Sequence, residues 1–263
     1  MRMCYTLALS VAMAAIPASA TRLTFDISTT NNSLQIVDNS SVTQNYGDRV
    51  AALSVADGGL TFSYGAEGGF TPNVVASYGP ASLTANNTVT PCPFSTLDTC
   101  VYLYGANFGD LVNVIAQSYD IMGTPPGYGL VTVTLTADPG FLVQLSSFNL
   151  AGWLQSNYTV RSVSVFDVVN STTLFSSASQ AVLGAGGTHT TLDTTNFGGV
   201  LSARTLQIVI DASNVTGNNG QNVGLDNVVF SQISTAPEPS SVALLGGGLL
   251  LGLLRLGRNR RVR

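Results

Sequence analysis

The sequence predicts an all-β protein, a β-sandwich of the jelly-roll type, between an N-terminal signal peptide and a C-terminal transmembrane helix. Through residues 21–234 apolar and polar residues alternate with a period of two, as in 130–138, where Val131, Val133 and Leu135 share one face. Turn-forming sequences separate these runs, and no amphipathic helix is predicted between the two ends. Many short alternating strands favour a sandwich. We expect one extracellular domain over 21–234, with a boundary near 121–129 as the alternative.

Strands and turns can be placed along this body from the same two signals. Beyond 130–138, the strands are expected at 23–28, 33–38, 59–65, 101–105, 161–169, 172–177, 205–211 and 224–231. The turns are expected at 57–59, 125–127, 138–140, 186–187 and 217–220.

The first twenty residues have the pattern of a secretory signal peptide. Arg2 precedes an apolar stretch, and the small residues Ala18 and Ala20 mark a cleavage site after Ala20. The alternative, an N-terminal membrane helix, is disfavoured because the apolar part is short. The sequence therefore predicts export, with the general secretion machinery and signal peptidase as partners.

The last residues, 235–263, combine a proline motif, an apolar run and a cluster of arginines. Residues 242–254 carry no charge, and the transmembrane helix is predicted at about 240–257, close to the ~20 residues that span a bilayer. A buried core helix fits poorly, because the arginines that follow could not enter a core. They predict a cytoplasmic tail and an inner-membrane anchor before processing. These topology-determining residues are Arg255, Arg258, Arg260, Arg261 and Arg263.

The order of these features resembles that of PEP-CTERM proteins. The resemblance covers the last 28 residues, where Pro237, Glu238 and Pro239 match the family's recognition motif and an apolar segment and arginines follow. Arg255 lies inside the apolar segment and departs from the family's pattern, so the sequence does not define the last residue of the predicted helix. The resemblance implies that a Gram-negative bacterium exports the protein and that an exosortase recognises and cuts the C-terminal signal. It further implies that the mature protein lies at the cell surface or in the extracellular matrix. It also implies an association with extracellular polysaccharide.

Charge excludes one class of partner. Only 9% of the residues are charged, against roughly 25% in an average soluble domain, and the chain has no lysine. Residues 21–236 hold four arginines and thirteen acidic residues, a net charge of −9. Nucleic-acid binding needs basic side chains to neutralise phosphates, so no nucleic-acid partner is expected.

Cys92 and Cys100 are the cysteines that remain after the predicted signal peptide is removed. In an oxidising compartment such a pair predicts a disulfide that closes a short loop. Two thiolates without a nearby histidine or third cysteine do not complete a zinc site.

Motifs of catalysis are absent from the sequence. His189 is the single histidine, no Gly-x-Ser-x-Gly sequence supplies a nucleophile, and neither a P-loop nor a Rossmann fingerprint occurs. Paired carboxylates for glycoside hydrolysis need only spatial proximity and stay open, although Glu67 is the only glutamate in the body. We therefore predict that the protein is not an enzyme.

A late strand, 224–231, carries Asp226 and resembles the terminal strand of jelly-roll carbohydrate-binding modules, as does 143–153. This resemblance implies a structural calcium held by Asp226, with Asp26 or Asp48 as candidate partners. The alternative is that Asp226 satisfies neighbouring backbone groups. No other cofactor is expected.

The aromatic residues have two possible roles, packing in the core or contacting a ligand. Trp153, the single tryptophan, either packs in a core or stacks on a sugar, and five tyrosines are candidates to join such a platform. These are Tyr64, Tyr78, Tyr102, Tyr104 and Tyr128. The sequence thus predicts an exported, non-catalytic structural or adhesive protein. The alternatives are a calcium-dependent or calcium-stabilised glycan-binding module and, with least support, an enzyme acting on exopolysaccharide.

Overall fold

The computed structural model describes residues 20–25, 42, 46–50, 71–79, 101–117, 130–215 and 222–235. Within these ranges the chain forms twelve strands and one short helix, α1 (Thr194–Phe197). The strands are β1 (Thr21–Leu23), β2 (Val74–Gly79), β3 (Val101–Tyr104), β4 (Val114–Gln117), β5 (Leu130–Ala137), β6 (Phe141–Gly152), β7 (Tyr158–Asp167), β8 (Thr172–Val182), β9 (Thr190–Asp193), β10 (Leu201–Ala203), β11 (Thr205–Asp211) and β12 (Val223–Ser234).

These strands make two antiparallel sheets. In the first sheet the long strands β6 and β12 lie side by side; β9 and β10 pair with the far side of β6, while β1 and β4 pair with β12, and β3 with β4. The second sheet has the order β2-β5-β11-β7-β8. The predicted β-sandwich is confirmed.

Period-two alternation explains the core. Val133, Leu135 and Ile208 of the second sheet are fully buried, and they belong to the same cluster as Leu145 and Leu150 of the first. One face of each sheet therefore points into a shared apolar layer, as alternation predicts. A second, smaller cluster lies on the other side of the first sheet, where Phe108 packs over Gly224.

Most predicted strands that fall on described residues are confirmed, and one is displaced. The predictions at 101–105, 130–138, 161–169, 172–177, 205–211 and 224–231 correspond to β3, β5, β7, β8, β11 and β12. The prediction at 23–28 is displaced: β1 is Thr21–Leu23, and the positive φ of 55° at Phe25 turns the chain out of the strand, while residues 26–28 lie outside the described residues. The predicted turn at 138–140 joins β5 to β6, with Gly140 at a φ of 88°.

The sequence analysis did not predict β2, β4, β9, β10 or α1, and it noted β6 only through the resemblance of 143–153 to jelly-roll modules. The helix begins at a capping box, in which the Asp193 side chain accepts from the backbone of Asn196 and the Asn196 side chain accepts from the Asp193 backbone. It ends at Gly198, which has a left-handed conformation. Because β9 and β10 both pair with β6, α1 is an excursion from a single interrupted edge strand.

Three aromatic rings lie between the two sheets at each lateral margin of the sandwich. On one side Phe25 contacts Tyr46 and Tyr78, with ring centroids 5.2 and 6.1 Å away. On the other, Phe197 of α1 lies between Phe148 and Phe175, at 5.9 and 4.9 Å. These contacts join the two sheets at both margins.

The predicted transmembrane segment, 240–257, lies outside the described residues. Among the residues that the structure does describe, no helix has the length and apolar character needed to cross a membrane.

Candidate functional site

Asp226, the proposed calcium ligand, lies in β12 opposite Asn149 of β6 and is 3% exposed. Its Oδ1 accepts the backbone N–H of Asn227 at 2.6 Å, and its Oδ2 accepts from the Asn227 Nδ2 at 3.0 Å. Asn227 has a φ of 52°, and the β12–β6 register shifts just after Asp226. The carboxylate thus stabilises the backbone irregularity beside it, which is the alternative that the sequence left open.

Asp48, a candidate partner, has a different role in the structure. Its Oδ1 accepts the backbone N–H of Ala76 in β2 at 2.7 Å. Burial raises the pKa of Asp48, and the Ala76 hydrogen bond and the nearby Arg49 charge oppose that rise. Asp26, the other candidate, lies outside the described residues. Within the described ranges no three His, Cys, Asp or Glu side chains are grouped as metal ligands would be, and the calcium site stays a prediction.

His189 is fixed by a carboxylate that the sequence did not indicate. Its Nδ1 lies 2.8 Å from Oδ1 of Asp110, which comes from the loop between β3 and β4. The two loops touch closely, since a Cβ on Gly109 would overlap the carbonyl of Thr188. The two residues are 79 positions apart, and only the fold reveals that they are neighbours.

Trp153 packs against the small cluster on the outside of the first sheet and is partly buried. It forms a bridge with Phe108, and its backbone N–H donates to Asn222 at 2.9 Å. Of the five tyrosines, Tyr78 is buried and donates to the carbonyl of Tyr46, whereas Tyr64 and Tyr128 lie outside the described residues. Core packing is therefore the main role of Trp153 and Tyr78.

Three loops meet at one end of the sandwich, which we call the loop pole: 105–113, 153–157 and 183–189. Gln155 donates to the carbonyl of Asn107 at 3.3 Å, and Gly152 donates to Leu183 at 2.9 Å. Leu154 is 58% exposed and, like Gln155, has a positive φ of about 50°. A bulky residue in this conformation is strained, so the turn holds an apolar side chain in solvent at an energetic cost.

The opposite end, which we call the tail pole, contains the β5–β6 turn and the end of β12. Ser234 pairs with Phe141, and the backbone N–H of Thr235 donates to Gly140 at 2.8 Å. The next predicted feature along the chain is the motif that begins at Pro237.

The two outer strands of the second sheet differ in their surroundings. Along β2, Asp48 accepts from Ala76, and the backbone N–H of Arg49 donates to Val74 at 2.8 Å. Residues 46–50 thus cover what we call the covered edge. Along β8, which we call the open edge, six positions are exposed to solvent: Thr172, Thr173, Ser176, Ala178, Ser179 and Ala181.

Several predicted sites cannot be located. Ala20 directly precedes β1, but the other residues lie outside the described ranges: Ala18, Cys92, Cys100, Pro237, Glu238, Pro239, Arg255, Arg258, Arg260, Arg261 and Arg263. The disulfide, the sorting motif and the anchor stay predictions.

No protein-family model matches the chain, and no curated protein is similar to it in sequence. Among solved structures, the family 32 carbohydrate-binding module of C. perfringens NanJ, in complex with galactose, is similar with a TM-score of 0.30 and 7% identity. That alignment covers 61% of this chain and 94% of the module. A likeness of this size carries no argument about the function of this chain.

Proposed function

We propose that the chain is an exported cell-surface or extracellular-matrix protein, sorted by exosortase through its C-terminal signal, in which the β-sandwich has a non-catalytic structural or adhesive role. The observation that carries this proposal is the order of segments along the chain. A predicted signal peptide precedes the sandwich, and Pro237-Glu238-Pro239, an apolar run and arginines follow it.

The limits of the sandwich fit between the two predicted signals. β1 begins at Thr21, the first residue after the predicted cleavage site, and β12 ends at Ser234, shortly before Pro237. Thr235 is still bonded to the sandwich through Gly140, so Ala236 is the only residue between that contact and the motif. A precursor anchored through 240–257 would hold its tail pole close to the membrane.

The same arrangement would turn the loop pole outward. β12 has twelve residues and runs from one pole to the other, a length of ~40 Å at 3.3–3.4 Å per residue. His189 and Asp110 then lie at the outer end, where they join two loops. Since the sequence supplies no nucleophile motif beside them, we assign this pair a structural role.

Sorting is tested by replacing Pro237, Glu238 and Pro239 with alanines in the full chain, in a host that contains an exosortase. The matched control is Ser240→Ala with Ser241→Ala, which changes the adjoining residues and keeps the motif. We expect the motif variant to remain as an unprocessed membrane-bound precursor, while the control is processed and reaches the surface like the natural sequence. Immunoblots of cell fractions and protease accessibility measure both. Normal processing and surface delivery of the motif variant would refute sorting.

Glycan binding is a second candidate, favoured by the loop pole. Exposed Leu154 next to Trp153 offers apolar contact, and Asn107 and Gln155 supply uncharged amides, a combination that suits hydroxyl-rich ligands. Polysaccharide binding by the full chain, with and without calcium, tests this candidate; Leu154→Ala should weaken it, whereas Val169→Ala, in an exposed turn away from this pole, should not. Absence of binding to every polysaccharide in both conditions rejects it.

A further inference from the structure

The open edge of β8 is long and accessible. Its eleven residues pair with β7 on one side, and in the described ranges no other strand pairs with them. Exposed Thr173, Ser176 and Ala178 lie opposite Phe166, Ser164 and Ser162 of β7, which places all three on the outer face of the sheet. Solvent therefore reaches the outer face of β8 along much of its length.

This edge lacks the charged residues and prolines that commonly keep sheet edges apart. Edge strands are usually protected by lysines, other charges or prolines. Residues 172–182 contain no charged residue and no proline, and the whole chain has no lysine. Two copies of this strand could thus meet in any register without placing like charges opposite each other.

Two backbone irregularities in β8, a bulge and a residue with positive φ, shorten the stretch that could pair with another strand. The register with β7 shifts where Val165 pairs with Phe175 and Phe166 with Thr173, which makes Leu174 a bulged residue. Ser179 has a φ of 52°. The regular stretch between them is Phe175–Ala178, so a partner strand finds a short pairing site.

We propose that β8 is a homotypic contact, in which Ser176–Ala178 of one copy pairs antiparallel with the same residues of a second copy, so that Ser177 lies opposite Ser177 and Ser176 lies opposite Ala178. A two-fold axis between the strands joins the two second sheets into one continuous sheet. A second copy suits this edge because both strands are uncharged, whereas the bodies that carry them are acidic and repel one another elsewhere. The short pairing makes the contact weak, and clustering of many copies on each of two facing surfaces strengthens it by avidity.

The symmetry has a consequence that rests on the proposed function. Strands paired antiparallel across such an axis run in opposite directions, so the tail poles of the two copies point in opposite directions. Two copies anchored side by side in one membrane cannot pair in this way. The contact therefore joins copies on two facing surfaces, or copies that have been released from the membrane.

The test is sedimentation velocity of the full chain in an excess of non-ionic detergent, over a wide range of protein concentration. We compare the natural sequence with Ala178→Lys, which places a charge on the open edge, and with Ala185→Lys, which adds the same charge at an exposed position beyond β8. Any association through the C-terminal segment is common to all three proteins. We expect a dimer whose dissociation constant rises about tenfold in Ala178→Lys and is unchanged in Ala185→Lys.

Hydrogen exchange gives a second, independent readout. In the natural sequence the amides of Ser176–Ala178 that point away from β7 should gain protection as the concentration rises, while Ala178→Lys should show no such gain. Near-ultraviolet circular dichroism verifies that each variant is folded. A protein that stays monomeric, or dimers that are unaffected by Ala178→Lys, would overturn the proposal. Since neither measurement depends on processing, failure here leaves sorting untouched, and failure of sorting leaves this contact untouched.

Discussion

Three aromatic rings lie between the sheets at each margin of the sandwich. The rings beside the covered edge are all buried, whereas two of the rings beside the open edge are partly exposed. On the side of the covered edge, Phe25, Tyr46 and Tyr78 are all at most 5% exposed, and residues 46–50 bond to the backbone of β2. On the side of the open edge, Phe175 and Phe197 are only partly buried. The margin beside β2 is therefore buried like the core, whereas the margin beside β8 has a strand that is exposed to solvent.

This difference shows how a protein with few charges manages sheet edges. Charged side chains, and lysine above all, are the common protection, and here they are nearly absent. The chain instead lays a segment over β2, interrupts β9 and β10 with α1, and bulges β8 at Leu174. Backbone geometry takes the place of charge, and it does so least completely at β8.

The largest expected effect comes from removing one ring on each side. Tyr78→Ala should lower the free energy of unfolding by about 4 kcal/mol, because it leaves a cavity and removes the hydrogen bond to Tyr46. Phe175→Ala should lower it by about 2 kcal/mol, since that ring is partly exposed. Urea denaturation of the full chain measures both. Equal losses would show that the two margins are equally interior.

Removing the hydrogen bond that covers β2 should have a smaller effect. Asp48→Ala leaves the Ala76 N–H without its carboxylate acceptor and should cost about 1 kcal/mol. Ser202→Ala is the control, because Ser202 is exposed and lies in β10 of the other sheet. Urea denaturation measures the free energy of unfolding of both variants. If Ser202→Ala costs as much as Asp48→Ala, the hydrogen bond that covers β2 makes no particular contribution.

Asp48 also predicts a dependence on pH. Because burial raises its pKa in the folded state above the ordinary value of 3.8, its contribution to stability is present below that value and is lost as pH rises through the raised pKa. Asp48→Asn stays neutral. Its free energy of unfolding, relative to the natural sequence, should therefore increase as pH rises across this window. A difference that is constant with pH would contradict the assignment.

The smallest effect is expected at the salt bridge beside the covered edge. The two terminal guanidinium nitrogens of Arg49 donate to the Asp138 carboxylate, at 2.6 and 2.9 Å. This contact lowers the pKa of Asp138. The pair is exposed, so the coupling between Arg49→Ala and Asp138→Ala should be small and should vanish as salt screens it. A double-mutant cycle at low and high salt measures this. Coupling that survives high salt would mean that the pair acts as part of the interior.

Periodicity was sufficient to predict strands such as β5, β7 and β11, because their alternating apolar residues enter the core. In β11, Leu206, Ile208 and Ile210 alternate and point into the core, as the sequence indicates. Short strands such as β9 and β10 have too few residues for a period to appear, and their place is set by pairing with β6. The first strand was misplaced because Phe25 is a typical strand residue in the sequence, whereas in the structure it leaves the strand and packs against Tyr46.

The site residues were harder to predict because each depends on a distant partner. Asp226 was selected for its carboxylate, and the structure adds that this carboxylate accepts two hydrogen bonds from Asn227, while the calcium site stays a prediction. Nothing local to Asp110 indicates His189, and nothing in 46–50 indicates that these residues bond to β2. The openness of β8 likewise follows from sheet order, which alternation does not specify.

The long pairing of β12 with β6 also bears on mechanical load. The tail follows β12 in the sequence, and β12 makes ten residue pairs with β6 between Val223 and Ser234. A pull on the tail against a partner held at the loop pole runs along the strands. It shears those pairs together instead of peeling them one at a time. A protein tethered through this strand would resist force in the direction in which an anchored adhesive protein is pulled.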